Sequence, residues 1–167
     1  MENDVIIRFA EPDDINSIGF LAHQIWPVTY GNIIPPEQLS YMLQLMYSPA
    51  SLKKQLQQQQ HVFLLAELDG EPVGFASFSP ITKTGVFKLH KIYVRTDIQG
   101  KGLGKALLAA VTDEVKARQA KALQLNVNRN NKAKKFYEKQ GFAVIKEEDI
   151  DIGNGYFMND YVMEKKL

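Results

Sequence analysis

Ile92-Tyr93-Val94-Arg95-Thr96-Asp97-Ile98-Gln99-Gly100-Lys101-Gly102-Leu103-Gly104-Lys105 is the stretch on which the fold turns. A β-rich run passes into a turn of alternating glycines, and the turn opens an amphipathic helix. The free N–H groups at a helix start point outward and carry partial positive charge. Glycines let a bulky anion approach the backbone, and Lys101 and Lys105 add charge. The chemistry suggested is backbone capture of a pyrophosphate; alone, a glycine-rich turn also serves as plain structural punctuation. Two other phosphate loops fit poorly. A nucleoside-triphosphate loop needs Ser or Thr after Gly-Lys, and none follows here. A dinucleotide fingerprint needs Gly-x-Gly-x-x-Gly after the first strand of its unit, whereas Gly100, Gly102 and Gly104 alternate after the fourth expected strand.

Outward from this loop, apolar periodicity gives the other elements. Upstream, Val5–Phe9 reads as a strand. Pro12 with Asp13 and Asp14 starts a helix carrying Ile15, Ile18, Leu21, Ala22 and Ile25, which Pro27 should end or kink. Pro35-Pro36-Glu37 opens a second helix, and Ser48-Pro49 a third that runs into the glutamines at 57–60. His61–Leu68 and Pro72–Phe78 form a hairpin about Asp69-Gly70, and Val86–Val94 is a further strand. Downstream come a helix over Leu103–Arg118, with Leu107, Leu108, Val111 and Val115 on one side, and a strand over Ala122–Val127. A helix over Lys132–Gln140 is stopped by Gly141. Phe142–Ile152 and Tyr156–Glu164 close the chain as an antiparallel pair. Consecutive strands pair antiparallel, and the crossover through Leu103–Arg118 makes one pair parallel. The expectation is an α/β (α+β) fold: a mixed, mostly antiparallel, twisted sheet of about seven strands with helices on both faces. One domain should span residues 1–167, because no repeat or linker interrupts the pattern.

Composition narrows the chemistry. The 167 residues include 20 Lys and Arg against 19 Asp and Glu, for a net charge of +1. That near balance argues against nucleic acid or anionic membrane as partners held by bulk charge. There are no cysteines, which removes disulfides, thiol nucleophiles and thiolate metal sites, and fits a reducing cytoplasm. The acidic N-terminal segment does not read as a signal peptide, and no apolar run approaches a membrane span. Three histidines without metal-ligand spacing give no metal site.

Gln99-x-x-Gly102-x-Gly104, preceded by Leu89-x-x-Ile92-Tyr93-Val94 and followed by Leu107-Leu108, resembles the coenzyme A signature of the GNAT acetyltransferase superfamily. Asn130-x-x-Ala133-x-x-Phe136-Tyr137-x-x-x-Gly141-Phe142 is similar to that family's second motif, and the element order agrees over almost the whole chain. The resemblance implies acetyl-CoA as co-substrate and no metal. It implies a bulge that splays the fourth strand from the fifth in a V, with the pantetheine held by backbone of Ile92, Tyr93 and Val94. The pyrophosphate would lie on the amides of Gln99, Gly100, Lys101, Gly102, Leu103, Gly104 and Lys105, and Asn130 would touch the coenzyme.

Acetyl transfer to an amine needs a neutral nucleophile, donors for the oxyanion, and a proton for the departing thiolate. By the resemblance, Tyr137 stands against the coenzyme sulfur as general acid; read without it, Phe136 and Tyr137 are ordinary core aromatics. Relatives often carry an acid on the strand before the loop, and Lys88-Leu89-His90-Lys91 departs from that. His90 is then a candidate base, Glu67 a weaker one, and a water chain a third route; His90 also reads as a half-exposed strand residue without a role. Trp26 and Tyr30 could offer π faces to a cationic amine or anchor a helix corner. The acid- and aromatic-rich run from Asp149 to Tyr161, with Tyr156 in it, could line the acceptor site or form a hairpin edge. Trp26–Tyr30 together with Tyr156-Phe157-Met158-x-Asp160-Tyr161-x-Met163 is similar to the bacterial polyamine (spermidine/spermine) acetyltransferase branch, which makes the expected acceptor a polyamine-like small amine attacking directly in a ternary complex. Protein N-terminal or lysine amines are the alternative acceptors, and a non-catalytic coenzyme A sensor is the alternative function. A homodimer through the C-terminal strands is a further expectation.

Overall fold

A computed structural model describes residues 5–81, 85–98 and 100–167. The order is β1 (Val5–Phe9), α1 (Ile15–Tyr30), α2 (Pro36–Tyr47), α3 (Pro49–Gln57), β2 (Val62–Leu68), β3 (Glu71–Pro80), β4 (Val86–Val94), α4 (Leu103–Ala117), β5 (Ala122–Asn128), α5 (Ala133–Lys139), β6 (Ala143–Gly153) and β7 (Tyr156–Lys166). The strands form one seven-stranded sheet in the order β1-β2-β3-β4-β5-β7-β6. Only β4 and β5 run parallel, as the single crossover helix requires.

Each face of the sheet carries its own core. On one, Leu103, Leu107, Leu108, Val111 and Val115 of α4 pack on Leu89, Leu123, Leu125 and Val127, with Tyr137 and Phe142 beside them. On the other, Ile18, Leu21, Ile25 and Trp26 of α1 and Met42, Leu43 and Tyr47 of α2 cover Phe63, Leu65 and Phe75. The turns are built from residues that tolerate positive φ. Asp69 and Gly70 (φ 52° and 80°) close the β2–β3 hairpin, and Gly153, Asn154 and Gly155 (88°, 55° and 79°) close β6–β7.

Helix α1 departs from expectation. It continues through Pro27 to Tyr30, and the Gly31 amide bonds the Pro27 carbonyl at 3.0 Å. Proline near a helix C-terminus forfeits only the bond its own missing N–H would have made, and the last turn survives on the aromatic packing of Trp26 and Tyr30, 4.7 Å apart by ring centroid. Strands β3, β6 and β7 extend to Pro80, Gly153 and Lys166, beyond their expected ends. Edge residues such as Lys165 and Lys166 carry no apolar alternation, so pairing with β5, not pattern, holds them in the sheet.

The splay has a local cause. Ser77 pairs with Lys91 and Phe78 with Leu89, so His90 is an extra residue bulged out of β4. A bulge bends its strand and raises the local twist. The β4–β5 ladder accordingly holds only from Val86–Ala122 to Leu89–Leu125, and the two strands diverge beyond it. Among the described residues no helix is long and apolar enough to cross a membrane.

Candidate functional site

Three cavities run together around this divergence. The first, about 380 Å³, lies over the glycine loop and is lined by Ile92, Val94, Gly100, Gly102, Leu103, Gly104, Lys105, Phe136 and Tyr137. The second, about 800 Å³, fills the β4–β5 gap between Leu89–Val94 and Leu125–Val127, with Tyr30, Asn130 and Tyr137 on its walls. The third, about 220 Å³, sits beneath α1 and α2 and is lined by Trp26, Tyr30, Met42, Tyr47, His90, Lys91, Asn126, Phe157, Met158 and Asp160 among others. Phe136 and Tyr137 are shared by the first two; Tyr30, His90, Lys91, Tyr93 and Asn126 are shared by the second and third.

The loop is shaped for an anion. Gly100 and Gly102 have φ of 91° and 73°, and a Cβ added at Gly100, Gly102 or Gly104 would meet nothing within 4 Å. The backbone therefore lies open to the cavity at all three. Gly102 caps α4 with no side chain of its own, so the first-turn amides are left for an external acceptor. Lys105 lines the cavity and Lys101 is exposed beside it. Gln99 lies outside the described residues.

Tyr137 is 9% exposed, packed edge-on to Phe136 and Phe142 at 5.3 and 6.0 Å. Burial, reinforced by Tyr30, raises its phenol pKa and keeps it protonated. Tyr30 donates to or accepts from the Tyr93 hydroxyl at 2.8 Å, and burial raises both phenols. Trp26 adjoins Tyr30, Tyr47 and Tyr93 at 4.7, 5.4 and 5.7 Å, forming an aromatic wall between α1 and β4.

His90 reaches the cavities but is poorly placed to take a proton. Its Nε2 hydrogen-bonds Ser79 Oγ at 2.6 Å, and its ring stacks on His61 at 4.0 Å and 5°. Desolvation first, then His61, Lys91 and Lys88, lower its pKa to about 3; desolvation and Lys91 lower His61 to about 4. A base this weak does not deprotonate an ammonium. Both depressed values imply acid sensitivity. Below pH 6.5 the unfolded chain binds protons that the folded chain refuses until about pH 4 and 3, so stability is fully present above that range and drains as pH falls through it. Each histidine contributes at most about 1.4 kcal/mol per pH unit. Urea midpoints measured from pH 7 to 4 should decline, and His90→Gln should flatten the decline.

Lys91 is also buried; desolvation lowers it to about 8, and its Nζ donates to Gln55 Oε1 at 2.8 Å between the rings of Tyr47 and Phe63. Glu67 lies away from the cavities, ion-paired to Arg8. Tyr156 packs on Tyr41 at 5.4 Å and does not line the acceptor cavity; its neighbours Phe157 and Met158 do. The alternation of a strand puts only one of two adjacent side chains on a given face, and the rim position of Phe157 comes from the hairpin end. Among the described residues no three His, Asp or Glu side chains are grouped to hold a metal.

Asp160, part of the acid- and aromatic-rich run over Asp149–Tyr161 but given no role of its own by the sequence, lines the third cavity. It is 2% exposed, on β7 opposite Asn128 of β5, and accepts from Asn126 Nδ2 at 3.2 Å. Burial raises its pKa above the ordinary carboxylate value. The motif that contains it does not say which of its acids is buried; the β5–β7 register brings this one beside the β4–β5 gap.

A glycine-opened helix start with uncapped amides, feeding a splayed strand pair with a buried phenol between them, is the arrangement of the acyl-coenzyme A-dependent transferases. A family model for the acetyltransferase (GNAT) domain matches residues 34–165, and the chain belongs to that family. It is an N-acetyltransferase that uses acetyl-CoA. The spermidine N(1)-acetyltransferase of Thermoplasma acidophilum is 28% identical over 165 residues, covering 96% of each chain. An uncharacterised N-acetyltransferase of Methanocaldococcus jannaschii is 36% identical over 86 residues, a match spanning 48% of this chain and 38% of that protein's length. The solved structure of a PaiA N-acetyltransferase from Thermoplasma acidophilum in complex with coenzyme A superposes with a TM-score of 0.83 at 27% identity, covering 98% of this chain and 99% of the other.

Proposed function

We propose that residues 1–167 act as one cytoplasmic acetyl-CoA-binding domain that moves the acetyl group to a primary amine of a small, polyamine-like acceptor. The observation that carries this reading is Tyr137, whose side chain walls both the loop cavity and the β4–β5 gap. A coenzyme laid with its diphosphate on the amides of 100–105 and its pantetheine along Ile92–Val94 brings its thioester beside that phenol. The backbone beside Val94, freed from β5 by the splay, then has donors for the oxyanion. Tyr137 gives its proton to the leaving thiolate. The acceptor enters from the opposite side, through the cavity of Trp26, Tyr30, Met42 and Phe157. That cavity is aromatic and Met-rich, which suits an alkyl amine more than a peptide. The Thermoplasma relative's name supports the polyamine choice.

The test is thiol release from acetyl-CoA over a panel of spermidine, spermine, cadaverine, tyramine and a peptide with a free N-terminus. Turnover is expected on the polyamines first. Tight acetyl-CoA binding with no turnover on any amine, and no effect of Tyr137→Phe, would instead identify a sensor domain. The loop role has its own test. Gly102→Val forces a β-branched residue to a φ of 73° and fills the open face above the amides. Its thermal midpoint should drop by the equivalent of about 1–2 kcal/mol. Its calorimetric Kd for acetyl-CoA should weaken about tenfold or more.

A further inference from the structure

The reaction consumes a neutral amine, yet alkyl amines are ammonium ions near neutral pH, and His90 is committed elsewhere, its Nε2 to Ser79 Oγ and its face to His61. Lys91 is a donor to Gln55 and carries the wrong charge to attract a cation. Among the described residues, the carboxylate that lines the acceptor cavity is that of Asp160. It accepts a hydrogen bond from Asn126, and among the described residues no cation lies within ion-pair distance of it. The nearby cations are engaged elsewhere or kept at a distance. Arg129 ion-pairs with Asp149 and Glu147 and donates to the backbone oxygens of Asp160 and Glu148. Lys146 pairs with Glu148 at 2.7 Å, and Lys88 is half-buried across the cavity on β4. A buried carboxylate without a counter-ion is costly unless something supplies the charge.

We propose that Asp160 receives the ammonium of the acceptor and takes its proton, making it the specificity-determining and proton-accepting residue of the acetyl transfer. This deepens the acetyltransferase reading and rests on it. The cavity holding Asp160 opens into the β4–β5 gap across Asn126, Leu89 and Tyr30, so an amine at the carboxylate stands at the passage to the thioester end. The ammonium gives one proton to Asp160. The freed nitrogen forms a C–N bond to the acetyl carbonyl, the C–S bond breaks, and the thiolate takes the Tyr137 proton. The second proton lost by the nitrogen restores Tyr137, and Asp160 releases its proton to solvent. The net products are the amide, the thiol and one proton.

The same placement explains why burial suits the task. A carboxylate whose pKa is raised is a better match to proton abstraction than a solvated one. Tyr30 on α1, Lys88 and His90 on β4, Arg129 after β5 and Glu148 on β6 are the titratable or charged groups that face it. At the carboxylate desolvation dominates, opposed by the Asn126 hydrogen bond and by the charges of Lys88 and Arg129, with Glu148 adding to the rise.

Asp160→Asn is the deciding variant, because an amide is isosteric and its oxygen can still accept from Asn126. With spermidine as probe, or with whichever amine of the panel turns over fastest, kcat/KM should fall at least 100-fold. The calorimetric Kd for acetyl-CoA and the thermal midpoint should remain near wild type. The acidic limb of the kcat/KM profile, present in the wild type, should be replaced by activity that climbs with the amine's own deprotonation. Asp160→Glu should recover part of the loss. Retention of kcat and KM within threefold in Asp160→Asn, or an equal loss of acetyl-CoA affinity, overturns the assignment while leaving the transfer reaction intact. Wild-type protein that binds acetyl-CoA but acetylates no amine overturns the transfer reading itself, and this assignment with it.

Discussion

Tyr137→Phe should lower kcat about 10²–10³-fold while the Kd for acetyl-CoA stays within about twofold of wild type, the range in which a single positioned proton donor acts. The substitution removes one oxygen from a ring that otherwise keeps its edge contacts to Phe136 and Phe142. The helix α5 should therefore hold its place, and the cavity walls should remain. What disappears is the proton for the thiolate. Ile92, Val94 and Phe136, which line the cavity beside the phenol, offer no side-chain proton in its place. The phenol's raised pKa does not disqualify it, because the desolvation that raises a phenol raises a thiol too. Single-turnover measurements of thiol release locate the defect in the chemical step. Unchanged kcat would show that the ring is there for packing alone.

Phe75→Ala should reduce the free energy of unfolding by about 3–5 kcal/mol, the cost of emptying a large site in a close-packed core. Phe75 is fully buried at the centre of the sheet, paired with Leu65 on β2 and Tyr93 on β4. It supports two rings of the acceptor cavity, Tyr47 at 5.9 Å and Tyr93 at 5.8 Å. The loss should appear as a lower urea midpoint with an unchanged slope. The functional consequence is separable. Tyr93 without its support should hold the Tyr30 hydroxyl less firmly, and the acceptor KM should rise more than the Kd for acetyl-CoA. A loss below about 1 kcal/mol would mean that the site collapses freely around the missing ring.

Gly74 shows how close the packing is behind that wall. A Cβ there would stand 2.8 Å from the Tyr93 carbonyl and 3.3 Å from Leu107 Cδ1 and Val94 Cγ2. The glycine lets β3 and β4 lie together under α4 at the C-terminal end of β4, beyond its divergence from β5. Site geometry and sheet packing are thus set by the same residues.

Much of this was legible in the chain. The period-2 run Val86–Val94, the glycines at 100, 102 and 104, and the 3.6-period face Leu107-Leu108-Val111-Val115 report local conformation and burial directly, because backbone propensity and one-sided burial act within a few residues. The same holds for the Gly153-Asn154-Gly155 turn and for the stop at Gly141, whose φ is 96°. The alternation of β and α segments sufficed for the single parallel pair.

The acceptor side was not legible, and its residues show why. Trp26 and Tyr30 read equally as helix-corner anchors until packing put them against Tyr93. His90 looked like a base because an isolated imidazole titrates near neutrality; the bulge that carries it also stacks it on His61 and buries it, and burial favours the uncharged ring. Tyr156 and Phe157 exchange roles because the end of a hairpin, not strand alternation, sets which ring reaches the cavity. Asp160 stood in an acid-rich run without a role of its own; a register across β5 and β7 that joins residues 34 positions apart distinguishes it from the other acids there. The sequence by itself determined the elements, the glycine turn that opens α4 and the single parallel crossover, since these depend on neighbours along the chain. Tertiary structure alone decided where charge is desolvated and which acid lines the cavity beneath α1 and α2, because the energy of a buried charge is set by neighbours that folding brings from distant parts of the chain.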